Sequence, residues 1–385
     1  MGTRPEAIKL APVVKALQTL PEGFETVIVA TAQHRHMLDQ VLSLFQISPD
    51  IDLDLMKPDQ NINELTSRVM RSMEGTLAEV DPDLVLIQGD TTTVFATSLA
   101  AFYLKVPVAH VEAGLRSRDI HNPYPEEINR RLVSVLTEIH FAPTQLARQN
   151  LLNEGVEPGK IVVTGNTVVD SMDIVLNAPF DLEQTPLADI PFEGSRVVLV
   201  TSHRRESWGR DLESICLALK DLVDRFDDLR VVYPVHLNPN VRETVNSMLG
   251  GVERIHLTEP LDYLSFINLM RRSYVILTDS GGVQEEAPAM RKPVLVLRKV
   301  TERPEASLAG MSRVVGTERV RIVEETSRLL TDRDAYRSMV EGDNPFGDGR
   351  AAERITEALG RWSRGLEPLL EDEKEFGLKR KGMLA

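Results

Sequence analysis

Short apolar runs recur along the chain, and longer stretches between them carry apolar positions at helical spacing. The strand-like runs are residues 26–31, 84–88, 106–111, 139–142 and 161–164 in the first half. In the second half they are residues 197–201, 229–235, 254–257, 274–278 and 293–297. The clearest helical patterns are residues 8–20, 62–79, 126–136, 212–225 and 241–249. Several runs are continuously apolar, as strands covered on both faces should be. Repeated strand–helix alternation predicts parallel sheets with right-handed crossovers. The expected fold class is therefore α/β, with two doubly wound Rossmann-like halves facing a cleft and ligands at the carboxyl ends of the strands. A length of 385 residues suits two domains. Residues 177–194 contain several prolines and little periodicity, which makes them the best linker candidate.

The turn Gly2-Thr3-Arg4-Pro5 should follow a strand, yet it stands at the very start. A strand before residue 1, or a late start, is the expectation. A missing central strand would leave neighbouring backbone groups unpaired.

The formal net charge of −14 argues against a general nucleic-acid binder. No apolar stretch is long enough to cross a membrane, and the N-terminus lacks a signal-peptide core. The single Cys216 sits in an apolar helical pattern, so a reducing cytoplasm is expected and the thiol reads as core. His34 and His36 lack a clear third ligand, and no metal motif is present.

The most informative segment is Thr278-Asp279-Ser280-Gly281-Gly282-Val283-Gln284-Glu285-Glu286-Ala287. It follows the apolar run Tyr274-Val275-Ile276-Leu277. Paired glycines let backbone approach a ligand closely, and a helix starting there would turn its free N–H groups towards a phosphate. Glu286 falls about a turn further in, where a carboxylate could accept from a ribose diol. An ordinary strand-to-helix turn with dipole-favoured acidic residues would look similar.

Polar groups recur at other strand ends: Asp90, Glu112 and His203-Arg204-Arg205. Arg4, Lys9, Arg130, His203, Arg204, Arg205 and Arg303 fall in or beside candidate turns. A cationic pocket in an acidic protein suits an anionic, phosphate-bearing substrate. Pro125 suits a first helical position, and Glu126 and Arg130 then share a helix face at i,i+4.

The ordered set Gly2-Thr3-Arg4-Pro5-Glu6-Ala7, Gln88-Gly89-Asp90-Thr91, His110-Val111-Glu112-Ala113-Gly114-Leu115-Arg116-Ser117, Pro125-Glu126-Glu127-Ile128-Asn129-Arg130, Thr164-Gly165-Asn166, His203-Arg204-Arg205-Glu206, the glycine turn and Thr301-Glu302-Arg303-Pro304-Glu305 resembles the bacterial non-hydrolysing UDP-N-acetylglucosamine 2-epimerases. The resemblance runs from residue 2 to about 349. It implies a GT-B fold: an N-terminal domain over residues 1–168, on which a helix at about 357–375 packs back, and a nucleotide-binding domain over 169–356. It also implies a homodimer in the cytoplasm that needs no metal or nicotinamide and serves cell-surface polysaccharide synthesis.

By the same resemblance, Arg4, Lys9, His203, Ser280 and Arg303 are phosphate or nucleotide contacts, with Gly281 and Gly282 in the seat. Glu286 is the ribose ligand and Phe266 lies beside uracil. Asp90, Glu112 and Glu126 are the catalytic carboxylates, with Arg130 and His203 nearby. Gln33, Gln60 and His236 lie in segments similar to a second UDP-N-acetylglucosamine site that activates bacterial members. Asp59 stands where many relatives carry a basic residue, which weakens that regulatory reading.

The C2 hydrogen of such a substrate has no adjacent carbonyl, so direct removal would be slow, whereas prior departure of UDP would acidify it. Elimination through 2-acetamidoglucal followed by readdition is the favoured chemistry. The alternatives are a hydrolysing epimerase that releases UDP and N-acetylmannosamine, a GT-B glycosyltransferase, and a nucleotide-sugar sensor without turnover. Which carboxylate is base and which is acid is left open.

Overall fold

The computed structural model describes residues 1–20, 22–31, 35–55, 61–204, 207–301 and 303–377, without the side chains of 35–37. The chain forms two compact units. The first comprises Met1–Ile174 and Phe346–Ala385, and the second Val175–Pro345.

The first unit runs α1 (Arg4–Gln18), β1 (Val29–Ala30), α2 (Arg35–Leu44), β2 (Ile51–Asp52), α3 (Ile62–Val80), β3 (Val85–Gln88), α4 (Thr92–Tyr103), β4 (Val108–Val111), α5 (Glu126–Leu136), β5 (Ile139–Ala142), α6 (Gln145–Asn153), β6 (Ile161–Val163) and α7 (Thr167–Leu176). Strands β3-β4-β5-β6 form one parallel sheet in that order, and β1 pairs with β2. The alternation along β4 makes this unit doubly wound. Val108 enters a cluster with Val69, Met73, Leu77 and Val94 of α3 and α4. Ala109 and Val111 enter the opposite cluster, with Leu10, Val13 and Leu17 of α1 and with Ile355, Ala358 and Leu359 of a late helix.

Met1 lies alongside β1. Its amino group donates to Val29 O at 2.8 Å, and Thr31 N donates to Met1 O at 3.0 Å, as a strand residue would arrange. Helix α1 begins earlier than its apolar period suggests. Pro5 occupies the first turn, and the Thr3 hydroxyl accepts from Glu6 N at 3.4 Å. Pro125 is in the cap position of α5, and Glu126 is its first helical residue.

The second unit runs β7 (Arg196–Thr201), α8 (Arg210–Arg225), β8 (Leu229–Pro234), α9 (Pro239–Leu249), β9 (Ile255–Thr258), α10 (Tyr263–Arg272), β10 (Val275–Thr278), α11 (Gly281–Ala289), β11 (Val294–Val296), α12 (Pro304–Leu308), β12 (Ser312–Val314), α13 (Arg319–Thr331) and α14 (Arg333–Ser338). Its six strands are all parallel, in the order β12-β11-β10-β7-β8-β9. Val198, Val200, Val231, Tyr233, Val275 and Leu277 pack with α8 and α9 on one face. Cys216 lies in that cluster, where burial pushes its thiol up to about 12, so it behaves as an apolar side chain.

The proline-bearing stretch 177–194 is not the linker. It belongs to the second unit, where Leu187 and Ile190 are buried and Leu182–Gln184 forms a 3-10 turn. These apolar anchors hide in a segment that has no regular period. The chain leaves the first unit within α7 and returns at Phe346 to form α15 (Ala351–Trp362). The start of α15 is held by Asp170 of α7, which accepts from Ala351 N at 3.2 Å and Ala352 N at 2.8 Å. Burial pushes the Asp170 carboxyl up to about 6, against the pull of those two N–H groups.

Candidate active site

In the second unit the connections from β7 run towards β8 and β9, whereas those from β10 run towards β11 and β12. The sheet therefore reverses between β7 and β10, where loops part and a ligand can enter. The residues after both strands are tied together there by Asp279, which is fully buried. Its Oδ2 accepts from Ser202 Oγ at 3.1 Å, His203 N at 2.7 Å and Arg204 N at 2.9 Å. Its Oδ1 lies 3.1 Å from His203 Nδ1. Burial works to raise this carboxyl, but the His203 ring and the two N–H groups together bring it below its ordinary value.

The start of α11 lies at the same point. Ser280 occupies the cap position without its hydroxyl capping the helix. A Cβ added to Gly281 would lie 4.0 Å from one guanidinium nitrogen of Arg204 and 4.0 Å from one of Arg303. Two cations thus converge on the bare backbone at a helix N-terminus, which is a well-formed anion seat. Arg303 is held there by its Nε, which donates to the buried Glu285 Oε1. Its backbone N donates to Thr301 Oγ1 at 3.0 Å, and Thr301 donates to Gln284 at 2.5 Å.

Glu286 lies deeper on α11, and its Oε1 accepts from Tyr263 OH at 3.0 Å. Phe266 is half-buried one turn beyond Tyr263 on α10, so it shares the face that meets α11. His236 stacks on His203, with ring centroids 5.5 Å apart and planes 20° from parallel.

The first unit places two of the three expected carboxylates, Asp90 and Glu112, just beyond the carboxyl ends of β3 and β4. Glu112 has a left-handed backbone at φ 68, a conformation costing a side-chain-bearing residue about 1–3 kcal/mol. Its carboxylate receives Lys9 Nζ at 2.8 Å and 2.6 Å, and Gln88 Nε2 donates to Oε2. Asp90 follows Gly89, whose φ of 85 suits glycine. The Asp90 carboxylate accepts from Arg130, and its carbonyl accepts from Asn129 Nδ2 at 3.0 Å. The Glu112 carboxylate is therefore held by a cation and a side-chain amide, whereas at Asp90 the cation holds the carboxylate and the amide holds the backbone carbonyl.

Supporting contacts come from behind. His110 Nε2 donates to Gly89 O at 2.7 Å. Burial holds His110 down at about 4 and His140 at about 3, so both are neutral at pH 7. The buried Glu6 accepts from Gly2 N at 2.6 Å and from the hydroxyls of Thr3 and Thr91, each at 2.9 Å. It thereby ties the turn that carries Arg4 to the turn that carries Asp90.

A family profile described as UDP-N-acetylglucosamine 2-epimerase matches residues 15–360. The chain belongs to the UDP-N-acetylglucosamine 2-epimerases. It is 54% identical over 364 residues to the UDP-N-acetylglucosamine 2-epimerase of Escherichia coli (strain K12), covering 93% of this chain and 96% of that one. Among solved structures it is similar to the UDP-GlcNAc 2-epimerase of Neisseria meningitidis bound to UDP-GlcNAc. That match has 47% identity, a TM-score of 0.85, and coverage of 93% and 97%. The Methanocaldococcus jannaschii UDP-GlcNAc 2-epimerase in complex with UDP-GlcNAc and UDP matches at 33% identity and a TM-score of 0.76, with coverage of 93% and 97%. The fold class is that of these epimerases: α/β, two doubly wound units, GT-B type.

Within this epimerase the structure gathers Lys9, Asp90, Glu112 and Arg130 in the first unit. His203, Ser280, Gly281, Gly282, Glu286 and Arg303 gather in the second. Arg4 and Glu126 are the first residues of α1 and α5. Gln33, Asp59 and Gln60 lie outside the described residues. Glu126 and Arg130 share a face of α5 as the i,i+4 spacing implied, and the Arg130 guanidinium reaches Asp90 and Glu127. Sequence reading placed Arg204 in the cationic pocket but gave no role to Asp279, Tyr263, Gln88, Asn129 or Glu127. The polar ends of β3 and β10 were a usable signal for Gln88 and Asp279. Tyr263 is 23 residues from Glu286 and had no signal.

Proposed function

We propose that this protein interconverts UDP-N-acetylglucosamine and UDP-N-acetylmannosamine by eliminating UDP and adding it back. The observation that carries the reading is the convergence of Arg204 and Arg303 on the bare backbone of Gly281, at the point where the second sheet reverses. That seat suits a diphosphate. His203 and Ser280 flank it, Glu286 meets the ribose diol, and Phe266 lies beside the uracil.

The C1–O bond to UDP breaks first, and the electron pair leaves on the β-phosphate oxygen. Cations on the diphosphate stabilise that charge as it develops, and one such contact is typically worth about 3–4 kcal/mol. Positive charge at C1 acidifies the C2 hydrogen. A carboxylate takes the proton, the C2–H pair becomes the C1–C2 double bond, and 2-acetamidoglucal forms beside UDP. The UDP oxygen then re-attacks C1 while an acid delivers a proton to the other face of C2.

Asp90, Glu112 and Glu126 are the carboxylates proposed to divide this work, including support of the oxocarbenium-like state. Arg130, Lys9 and Arg4 balance their charge and that of the substrate. The presence of several carboxylates favours turnover over a sensor, because a pure anion binder gains nothing from them. The product supplies cell-surface polysaccharide synthesis, and the enzyme works in the cytoplasm as a homodimer without metal or nicotinamide. A second UDP-N-acetylglucosamine, held near His236 together with Gln33 and Gln60, is the proposed activator.

Proton NMR of the purified protein with UDP-N-acetylglucosamine tests the reading. A second anomeric signal, from UDP-N-acetylmannosamine, should grow to a constant ratio while free UDP stays at trace level. Steady accumulation of UDP and free N-acetylmannosamine would overturn it in favour of the hydrolysing reaction.

A further inference from the structure

Glu127 stands directly beside the proposed catalytic Glu126 but is fully buried. A buried carboxylate costs several kcal/mol unless its oxygens are paired, so its partners reveal what it is for. Its oxygens serve the loop after β4 and a side chain one turn along α5. Oε2 accepts from Ser117 N at 2.9 Å, and Oε1 accepts from Arg118 N at 3.3 Å. Oε2 also accepts from Arg130 NH1 at 3.2 Å.

The other arm of the same guanidinium, NH2, donates to Asp90. Arg130 Nε is buried and has no partner among the described residues. Among the described residues the guanidinium is thus aimed by two carboxylates. Glu127, bonded to the backbone of Ser117 and Arg118, holds it from the buried side, and Asp90 receives it on the more exposed side. The three side chains grade outward in exposure: 0% for Glu127, 7% for Arg130 and 26% for Asp90. Asn129, between Glu127 and Arg130 in sequence, fixes the Asp90 carbonyl. One turn of α5 therefore controls both the backbone and the carboxylate of Asp90.

We infer that Glu127 is a positioning residue for the epimerisation: it anchors the Arg130 fork to the 117–118 loop so that Asp90 keeps its orientation towards the sugar. The inference rests on the proposed reaction. Glu127 itself touches no substrate. Without its charge, Arg130 can rotate about its remaining bond to Asp90, and the two move together.

The test compares wild type, Glu127→Gln, Arg130→Lys and the double variant. A lysine ammonium cannot form the two-armed bridge. Glu127→Gln keeps an oxygen for one loop N–H group. It is expected to lower kcat about 10²-fold, the cost of a small misplacement at a reacting centre. The KM for UDP-N-acetylglucosamine and the Kd for UDP should stay within about threefold of wild type. In the Arg130→Lys background the same change should cost less than about threefold more.

Glu127→Asp keeps the charge with a shorter reach and is read in the same way if Glu127→Gln does not fold. A kcat unchanged in both Glu127 variants, a loss confined to KM, or an equal loss in the Arg130→Lys background overturns the inference. A wild-type protein that does not epimerise overturns the proposed reaction instead. An active wild type with indifferent Glu127 variants overturns only the positioning role.

Discussion

Asp279 and His203 follow neighbouring strands of the second sheet, and their side chains meet with Oδ1 and Nδ1 3.1 Å apart. The same carboxylate caps the backbone N–H groups of His203 and Arg204. One buried charge therefore shapes both walls of the anion seat. Asp279→Ala should destabilise the second unit by about 2–4 kcal/mol, because charge-assisted bonds are lost and donors stay buried. Urea unfolding measures this, and titration calorimetry should find UDP binding lost. The folded-state value of this carboxyl is depressed. Its contribution is thus present at neutral pH and is lost as pH falls through the folded-state value.

Gly281 is expected to separate binding from stability. A Cβ there meets only two guanidinium nitrogens, each at 4.0 Å, so Gly281→Ala should fold with an unchanged or slightly higher melting temperature. If the diphosphate sits as proposed, the added methyl group takes the place of a phosphate oxygen. UDP should bind at least about tenfold more weakly, a cost of roughly 1.4 kcal/mol. Equal affinity in calorimetry would remove the diphosphate from this position.

The strands were legible because parallel strands covered on both faces are apolar throughout. β5 matches its expected range, and β3, β7 and β10 shift by a residue at one end. The short β1 and β12 were harder. β1 is much shorter than its apolar run, and β12, Ser312–Val314, carries Arg313 in mid-strand. The seat was legible as a glycine turn after an apolar run. Its side-chain wiring was not, because hydrogen bonds such as Tyr263 to Glu286 join residues that no period relates. The i,i+4 rule placed Glu126 and Arg130 on one face of α5, but it could not show that the Arg130 guanidinium pairs with Asp90 on another element and with Glu127.

Lys9 and Glu112 form a close pair of low exposure and should behave as one unit in kinetics. Lys9→Met or Glu112→Gln alone should each lower kcat about 10²-fold. The double variant should be no more than about threefold worse than either single one, because each change breaks the same pair. Multiplicative losses in steady-state assays would mean that the two side chains act separately.

His110 and His140 face acid together. Both lie well below the ordinary 6.5, at about 4 and about 3, chiefly through burial. Above pH 6.5 they are neutral in folded and unfolded chains alike and cost nothing. As pH falls below 6.5 the unfolded chain takes up protons that the folded chain refuses, so stability falls. The slope is about 1.4 kcal/mol per pH unit for each histidine. In denaturant titrations between pH 6.5 and 4, His140→Asn should show a slope shallower by about one proton than wild type.

The most direct measurement is turnover of UDP-N-acetylglucosamine in D2O, followed by NMR at C2 of both sugar nucleotides. If UDP departs and a carboxylate removes the C2 proton, the UDP-N-acetylmannosamine formed carries solvent deuterium at C2. Product that retains the original hydrogen at C2 would contradict elimination, and with it the division of proton transfer among Asp90, Glu112 and Glu126.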